Sequence, residues 1–128
     1  MKTTITKMEK IKILLVEDAY INQILIDNIL SEIGYEVIIA GNGLQALKEI
    51  EKSKPNLLIL DLMMPIMDGF TFLKKVKKPF DFPILAVTAR NDYESIEKAI
   101  KLGVSDYLIK PFNSNDLANK IERLLMKE

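Results

Sequence analysis

Along the chain, short apolar runs alternate with longer stretches in which apolar residues recur every three or four positions. The runs are Ile11–Val16, Tyr35–Ala40, Leu57–Leu60, Ile84–Val87 and Asp106–Ile109. Their length and bounding turn residues predict buried strands. The stretches between them carry helical spacing. The first helix starts at Ile21 and sets Ile21, Leu25, Ile29 and Ile33 on one stripe, with Gly34 just past its end. The second covers Leu44–Ile50, with Leu44, Leu47 and Ile50 as its buried positions. A third runs from about Phe70 to Lys77, until the segment KKPFDF ends it. The fourth opens at a capping box of Asn91 and Glu94 and reaches about Leu102, with Gly103 behind it. The last begins near Ser114 and turns Leu117, Ile121, Leu124 and Leu125 inward. Five strands alternating with five helices predict an α/β fold: a doubly wound, five-stranded parallel sheet covered on both faces, a three-layer sandwich. The polar residues 1–10 are expected to form a loose tail before a single domain over 11–128.

The polar residues at the ends of the strands are the informative ones. Glu17 and Asp18 follow the first strand, Asp61 the third, Thr88 the fourth and Lys110 the fifth. In the flavodoxin-like strand order 2-1-3-4-5, the first and third strands are neighbours at the switch point, where ligands bind outside the carboxyl ends. All five side chains are then expected to converge on one edge of the sheet. Three carboxylates that close cannot all stay ionised without compensation. Mg²⁺ takes oxygen ligands from one or two carboxylates plus waters. The site has no nitrogen or sulfur ligand, which disfavours zinc. Mg²⁺ together with Lys110 would balance the three negative charges. A dianionic phosphoryl group would be held by Mg²⁺, the Lys110 ammonium and the Thr88 hydroxyl. Asp61 is placed to accept it, because carboxylates form acyl-phosphates.

Composition narrows the setting. At 128 residues the chain fits one domain. With 48% hydrophobic and 28% charged residues it is not a disordered segment. Eighteen Lys and Arg balance eighteen Asp and Glu, which argues against a dedicated nucleic-acid binder. Without Cys there is no disulfide frame, and without His no phosphohistidine can form on these residues. No apolar run approaches the roughly 18 residues of a membrane span, and the opening MKTTITKMEK lacks a signal-peptide core, so a soluble, cytoplasmic setting is expected.

Other features have plainer readings. Lys74, Lys75, Lys77 and Lys78 share one helical arc opposite Phe72, Leu73 and Val76, as a solvated helix face does. Met63, Met64 and Met67 suit loop and core packing rather than a sulfur ligand set. GNGLQA, Gly41 to Ala46, formally fits a dinucleotide fingerprint, but it follows the second strand instead of the first and reads better as turn and cap. A phosphohydrolase with an aspartate nucleophile resembles Asp-x-Asp, and Met63 stands where its acid would be.

VED, LDLMMPIMDG, TA and DYLIKPF, in this order and spacing, resemble the receiver domain of two-component response regulators (the CheY-like domain) over about residues 11 to 126. VEDAYINQ is similar to the receivers of hybrid sensor histidine kinases, with Ala19 where the commonest such pattern has Asn. The resemblance implies that Asp61 is the phosphorylated residue. It implies that Asp18, Asp61 and the backbone carbonyl of Met63 bind Mg²⁺, with Glu17 acting through water, and that Lys110 contacts the phosphoryl group. Thr88 and Tyr107 would be the switch pair: the hydroxyl moves to the phosphoryl oxygen and the ring turns inward. This repacks the face made by the fourth helix, fifth strand and fifth helix. Lys110–Pro111 would be a cis peptide. Met63 and Arg90 would tune phosphoryl lifetime. The implied partners are a histidine kinase or histidine phosphotransfer protein, with self-association through the same face. The implied function is a phosphoaccepting switch, not an enzyme acting on a separate substrate.

Overall fold

The computed structural model describes residues 10–64, 67–76, 78, 80–89 and 92–126. Its strands are β1 (Lys12–Val16), β2 (Glu36–Ala40), β3 (Leu57–Asp61), β4 (Ile84–Ala89) and β5 (Asp106–Lys110). Its helices are α1 (Tyr20–Ile33), α2 (Gly43–Lys52), α3 (Gly69–Lys75), α4 (Tyr93–Lys101) and α5 (Ser114–Met126). The sheet is parallel throughout, in the order β2-β1-β3-β4-β5, as the alternation predicts. β3 is buried along its whole length, which is why it reads as an unbroken apolar run.

Successive side chains of a strand point to opposite faces, so each central strand feeds two cores. Leu58 and Leu60 join Phe72, Leu73 and Ala99 on the side of α2, α3 and α4. Leu57 and Ile59 join Ile26, Leu30, Leu117 and Ile121 on the side of α1 and α5. The register then sets the ends. Val16 lies opposite Leu60 and Ala40, Asp61 opposite Val87, and Ala89 opposite Lys110. The ladders carry Asp61, Thr88 and Lys110 inside their strands, each one residue beyond its run.

Three details differ from the sequence reading. In α1 the buried residues are Ile26 and Leu30, while Ile21, Leu25 and Ile33 are 70%, 56% and 48% exposed. Apolar side chains occur nearly all round this helix, and packing against β1 and β3 selects the other stripe; Ile29 sits at its margin. In α2, Ala46 and Gly43 face inward, Leu47 and Ile50 pack at the margin, and Leu44 is 50% exposed. Gly43 lies so close to Met67 that the small residues of α2 take the inner face. At α4 the cap is Asp92, whose side chain accepts from Ser95 N at 3.3 Å. Asn91 lies outside the described residues, as do Pro65, Lys77, Arg90 and residues 1–9 of the expected tail.

Other expectations agree with the structure. Gly34 ends α1 at φ 113, donating to the carbonyls of Leu30 and Ser31. Lys74 and Lys75 are exposed while Phe72, Leu73 and Val76 are buried. Leu117, Ile121 and Leu124 of α5 are buried, with Leu125 packed at the edge. No helix among the described residues is long and apolar enough to cross a membrane.

The choice of stripe in α1 is measurable by urea unfolding. Leu30→Ala is expected to cost about 2–5 kcal/mol, and Leu25→Ala less than about 1 kcal/mol. Equal losses would return Leu25 to the core.

Candidate functional site

Each acid arrives on a fixed piece of backbone. Glu17 follows the buried end of β1, and its N–H donates to Ala40 O at 3.0 Å. Its carboxylate accepts from Ala19 N at 3.1 Å, and its carbonyl accepts from Gln23 Nε2 at 2.6 Å. Glu17 is 2% exposed, whereas Asp18 beside it is exposed. Asp61 closes β3 at 6% exposure, and its Oδ1 accepts from Met63 N at 3.1 Å. Behind it, Leu62 N donates to Val87 O, and Gly69 N returns to Leu62 O at 3.0 Å. A Cβ on Gly69 would stand 2.8 Å from Leu62 Cα and 3.2 Å from Asp61 O, so only glycine lets α3 begin so close beneath Asp61. Asp68 caps α3 by accepting from Thr71 N at 2.8 Å, and this bond holds its carboxyl below the usual value.

Four of the sequence-predicted residues, Glu17, Asp18, Asp61 and Lys110, lie together at the carboxyl ends of the strands, and Thr88 follows Val87, the ladder partner of Asp61. Glu17, Asp18 and Asp61 each place an oxygen within 4.8 Å of the others. Lys110 Nζ stands 3.5 Å from Asp61 Oδ2 and 3.6 Å from Glu17 Oε1. Burial pushes the Glu17 carboxyl above its ordinary 4.5. The Ala19 N–H opposes this shift, the Asp61 charge adds to it, and the Lys110 ammonium opposes it. Thr88 is 1% exposed, and its Oγ1 has no hydrogen-bond partner among the described residues. Such an orphaned hydroxyl costs about 1–3 kcal/mol until an acceptor arrives. The donor set is all oxygen, and three carboxylates face one ammonium. These residues fit a small, hard dication.

Tyr107 lies half-buried on β5, with Lys120 Nζ 5.0 Å from its ring centroid. Lys120 also pairs with Asp106 at 3.1 Å. The Met63 side chain is 61% exposed, so this residue meets the pocket through its backbone, while Met64 and Met67 pack in the core. Lys110–Pro111 is cis. Asn42 caps α2, accepting from Gln45 N at 2.9 Å, so GNGLQA is a turn and cap. Sequence reasoning missed the bond from Gln23 to the Glu17 carbonyl; a polar residue in a helix gives no sign of reaching back to a loop.

A family model described as the response regulator receiver domain matches residues 13–122. The chain belongs to this family. It is thus a response regulator receiver domain, the signalling-switch domain of two-component systems. The receiver is 38% identical over 120 residues to the "Probable transcriptional regulator ycf27" of Porphyridium aerugineum, covering 94% of this chain and 50% of that one. It superposes on Vibrio cholerae chemotaxis protein CheY4 with a TM-score of 0.85 at 31% identity, covering 91% and 99% of the two chains. The receiver domain of a signal transduction histidine kinase from Syntrophus aciditrophicus gives a TM-score of 0.80 at 31% identity, with 89% of each chain covered. The chain spans about half the length of the curated relatives it matches. Several of these relatives are named as transcriptional regulators, so they lend no support to the exclusion of nucleic acid drawn from charge balance.

The raised value of Glu17 disfavours its carboxylate only in the folded state. That penalty is absent below the ordinary 4.5 and grows as pH rises toward the folded value. In EDTA, Glu17→Gln is therefore expected to melt above wild type at about pH 7, with the gap closing as pH falls. Thermal melts across this range check it; a gap that widens at low pH contradicts it.

Proposed function

We propose that residues 11–128 form a phosphoaccepting switch in which Asp61 takes a phosphoryl group from a phosphohistidine on a histidine kinase or histidine phosphotransfer protein. With no His among these residues, the donor imidazole lies outside them. An Asp61 carboxylate oxygen attacks phosphorus, the N–P bond to the donor imidazole breaks, and an acyl-phosphate forms on Asp61. Asp18, Asp61 and the Met63 carbonyl would hold Mg²⁺, with Glu17 acting through water. When bound, Mg²⁺ supplies charge neutralisation and orientation of the phosphoryl oxygens. Lys110, within 3.5 Å of Asp61, orients and neutralises the same group. The observation that carries this reading is Thr88: a buried hydroxyl without a partner among the described residues, on the strand paired with Asp61 and one residue past the contact. A phosphoryl oxygen is the acceptor it lacks.

The Thr88 hydroxyl turns to that oxygen, and the Tyr107 ring moves inward, changing the α4-β5-α5 surface. Asp106, Asp116, Lys120 and Arg123 give this side both signs of charge, which suits pairing with a second copy. The exposed apolar side of α1 suits the donor. Leu25 and Ile29 line a cleft of about 530 Å³ with Phe112 and the site's own Lys110. The receiver turns over no separate substrate.

Mass measurement after incubation with a small acyl-phosphate and Mg²⁺ tests the assignment. One phosphoryl group is expected on the wild type, none on Asp61→Asn, and none in EDTA. Undiminished labelling of Asp61→Asn overturns the acceptor, and equal labelling without Mg²⁺ overturns the metal role.

A further inference from the structure

We infer that Gln23 is a positioning residue for the metal site, holding the Glu17–Asp18 peptide so that the Asp18 carboxylate faces Asp61. The inference rests on the proposed Mg²⁺ role of the acids. The loop from β1 to α1 has three residues, Glu17, Asp18 and Ala19, and lacks the usual restraint at a helix start. Ala19 is the N-cap, no side chain caps the helix, and its first turn holds no acid. Gln23, one turn into α1, supplies the restraint twice. Its backbone N–H donates to Ala19 O at 3.0 Å, closing the first helical turn. Its side-chain Nε2 donates to Glu17 O at 2.6 Å.

That second bond fixes a specific peptide plane. The Glu17 N–H is tied to Ala40 O and its carboxylate to Ala19 N, so the carbonyl is the remaining handle on this residue. The plane of that carbonyl sets the direction in which Asp18 leaves the strand. Asp18 has no other guide: among the described residues its carboxylate makes no hydrogen bond or ion pair, yet an oxygen of it lies within 4.8 Å of Glu17 and Asp61 oxygens. The amide also lies beside the turn at Gly41. It lies 4.0 Å from where a Cβ on Gly41 would stand, in the turn whose N–H donates to Gln45 Oε1 at 2.6 Å. Glutamines of α1 and α2 thus anchor the two loops on the acidic side of the sheet. Removing groups that orient metal ligands without touching the ion commonly weakens metal affinity by about 10–100-fold.

Calorimetric titration with Mg²⁺, paired with thermal melts in EDTA, tests this on the wild type, Gln23→Met and Gln23→Glu. Gln23→Met keeps the volume and loses the donor; its Mg²⁺ Kd is expected to rise about tenfold. Its EDTA melting midpoint is expected to move by less than about 5 °C, the size of one lost hydrogen bond. Gln23→Glu separates positioning from charge. An added carboxylate near the cation tightens binding if charge alone matters, and weakens it if the donor matters; weakening is expected. A Kd within about twofold of wild type for Gln23→Met overturns the inference. So does tighter binding by Gln23→Glu, or an affinity loss matched by a collapse of the EDTA melt in both variants. Wild type that binds no Mg²⁺ overturns the metal reading as well, whereas normal binding by wild type and both variants overturns the role of Gln23 alone.

Discussion

Glu17, Asp18 and Asp61 present oxygens within 4.8 Å of one another, and Lys110 is the cation that the described residues bring to Glu17 and Asp61. At that separation each ionised pair repels by roughly 3 kcal/mol for an effective dielectric of about 20. Side chains free to choose would move apart. They stay because the backbone places them: Glu17 through Ala40, and Asp61 through the ladder to β4 and the tight return at Gly69. The parallel sheet, with a core on each face, is the frame stiff enough to hold such a cluster. Repulsion stored in this way makes the pocket receptive to positive charge, and a dication relieves it more than a second lysine could.

Thr88 adds a complementary tension. A buried hydroxyl with no acceptor among the described residues favours any state that supplies one. The pocket therefore has an excess of negative charge on β1 and β3 and an idle donor on β4. A phosphoryl group on Asp61 with a dication beside it answers both. In the β4–β5 ladder Thr88 lies opposite Ile109, two residues from Tyr107, so the proposed pair sits on neighbouring strands.

The strands and the pocket were legible in the sequence because buried parallel strands read as apolar runs, and four of the five here run into a polar residue. Asp61 after Leu57–Leu60 and Lys110 after Leu108–Ile109 stand out for that reason. α1 was misread because Ile21, Ile24, Leu25, Ile26, Ile29, Leu30 and Ile33 offer more than one acceptable stripe. Only packing against β1 and β3 decides between them. The cap of α4 had two adjacent candidates, Asn91 and Asp92, and a shift of one residue in a helix start leaves no mark on the apolar period. Gln23 was invisible for a different reason: its bond joins a side chain to a carbonyl, and carbonyls have no sequence.

Lys120 shows what such remote contacts do to a switch. Its ammonium sits over the Tyr107 ring and against Asp106, so the ring is clasped from the α5 side. Withdrawing the ring forfeits the cation contact, about 0.5–2 kcal/mol. A bias near 1 kcal/mol is about a fivefold preference for the clasped position of the ring. Were Tyr107 to move as proposed above, a lysine outside the pocket would set part of the background output of the unmodified pool, and drift at that one position would reset the noise floor while leaving the pocket itself untouched.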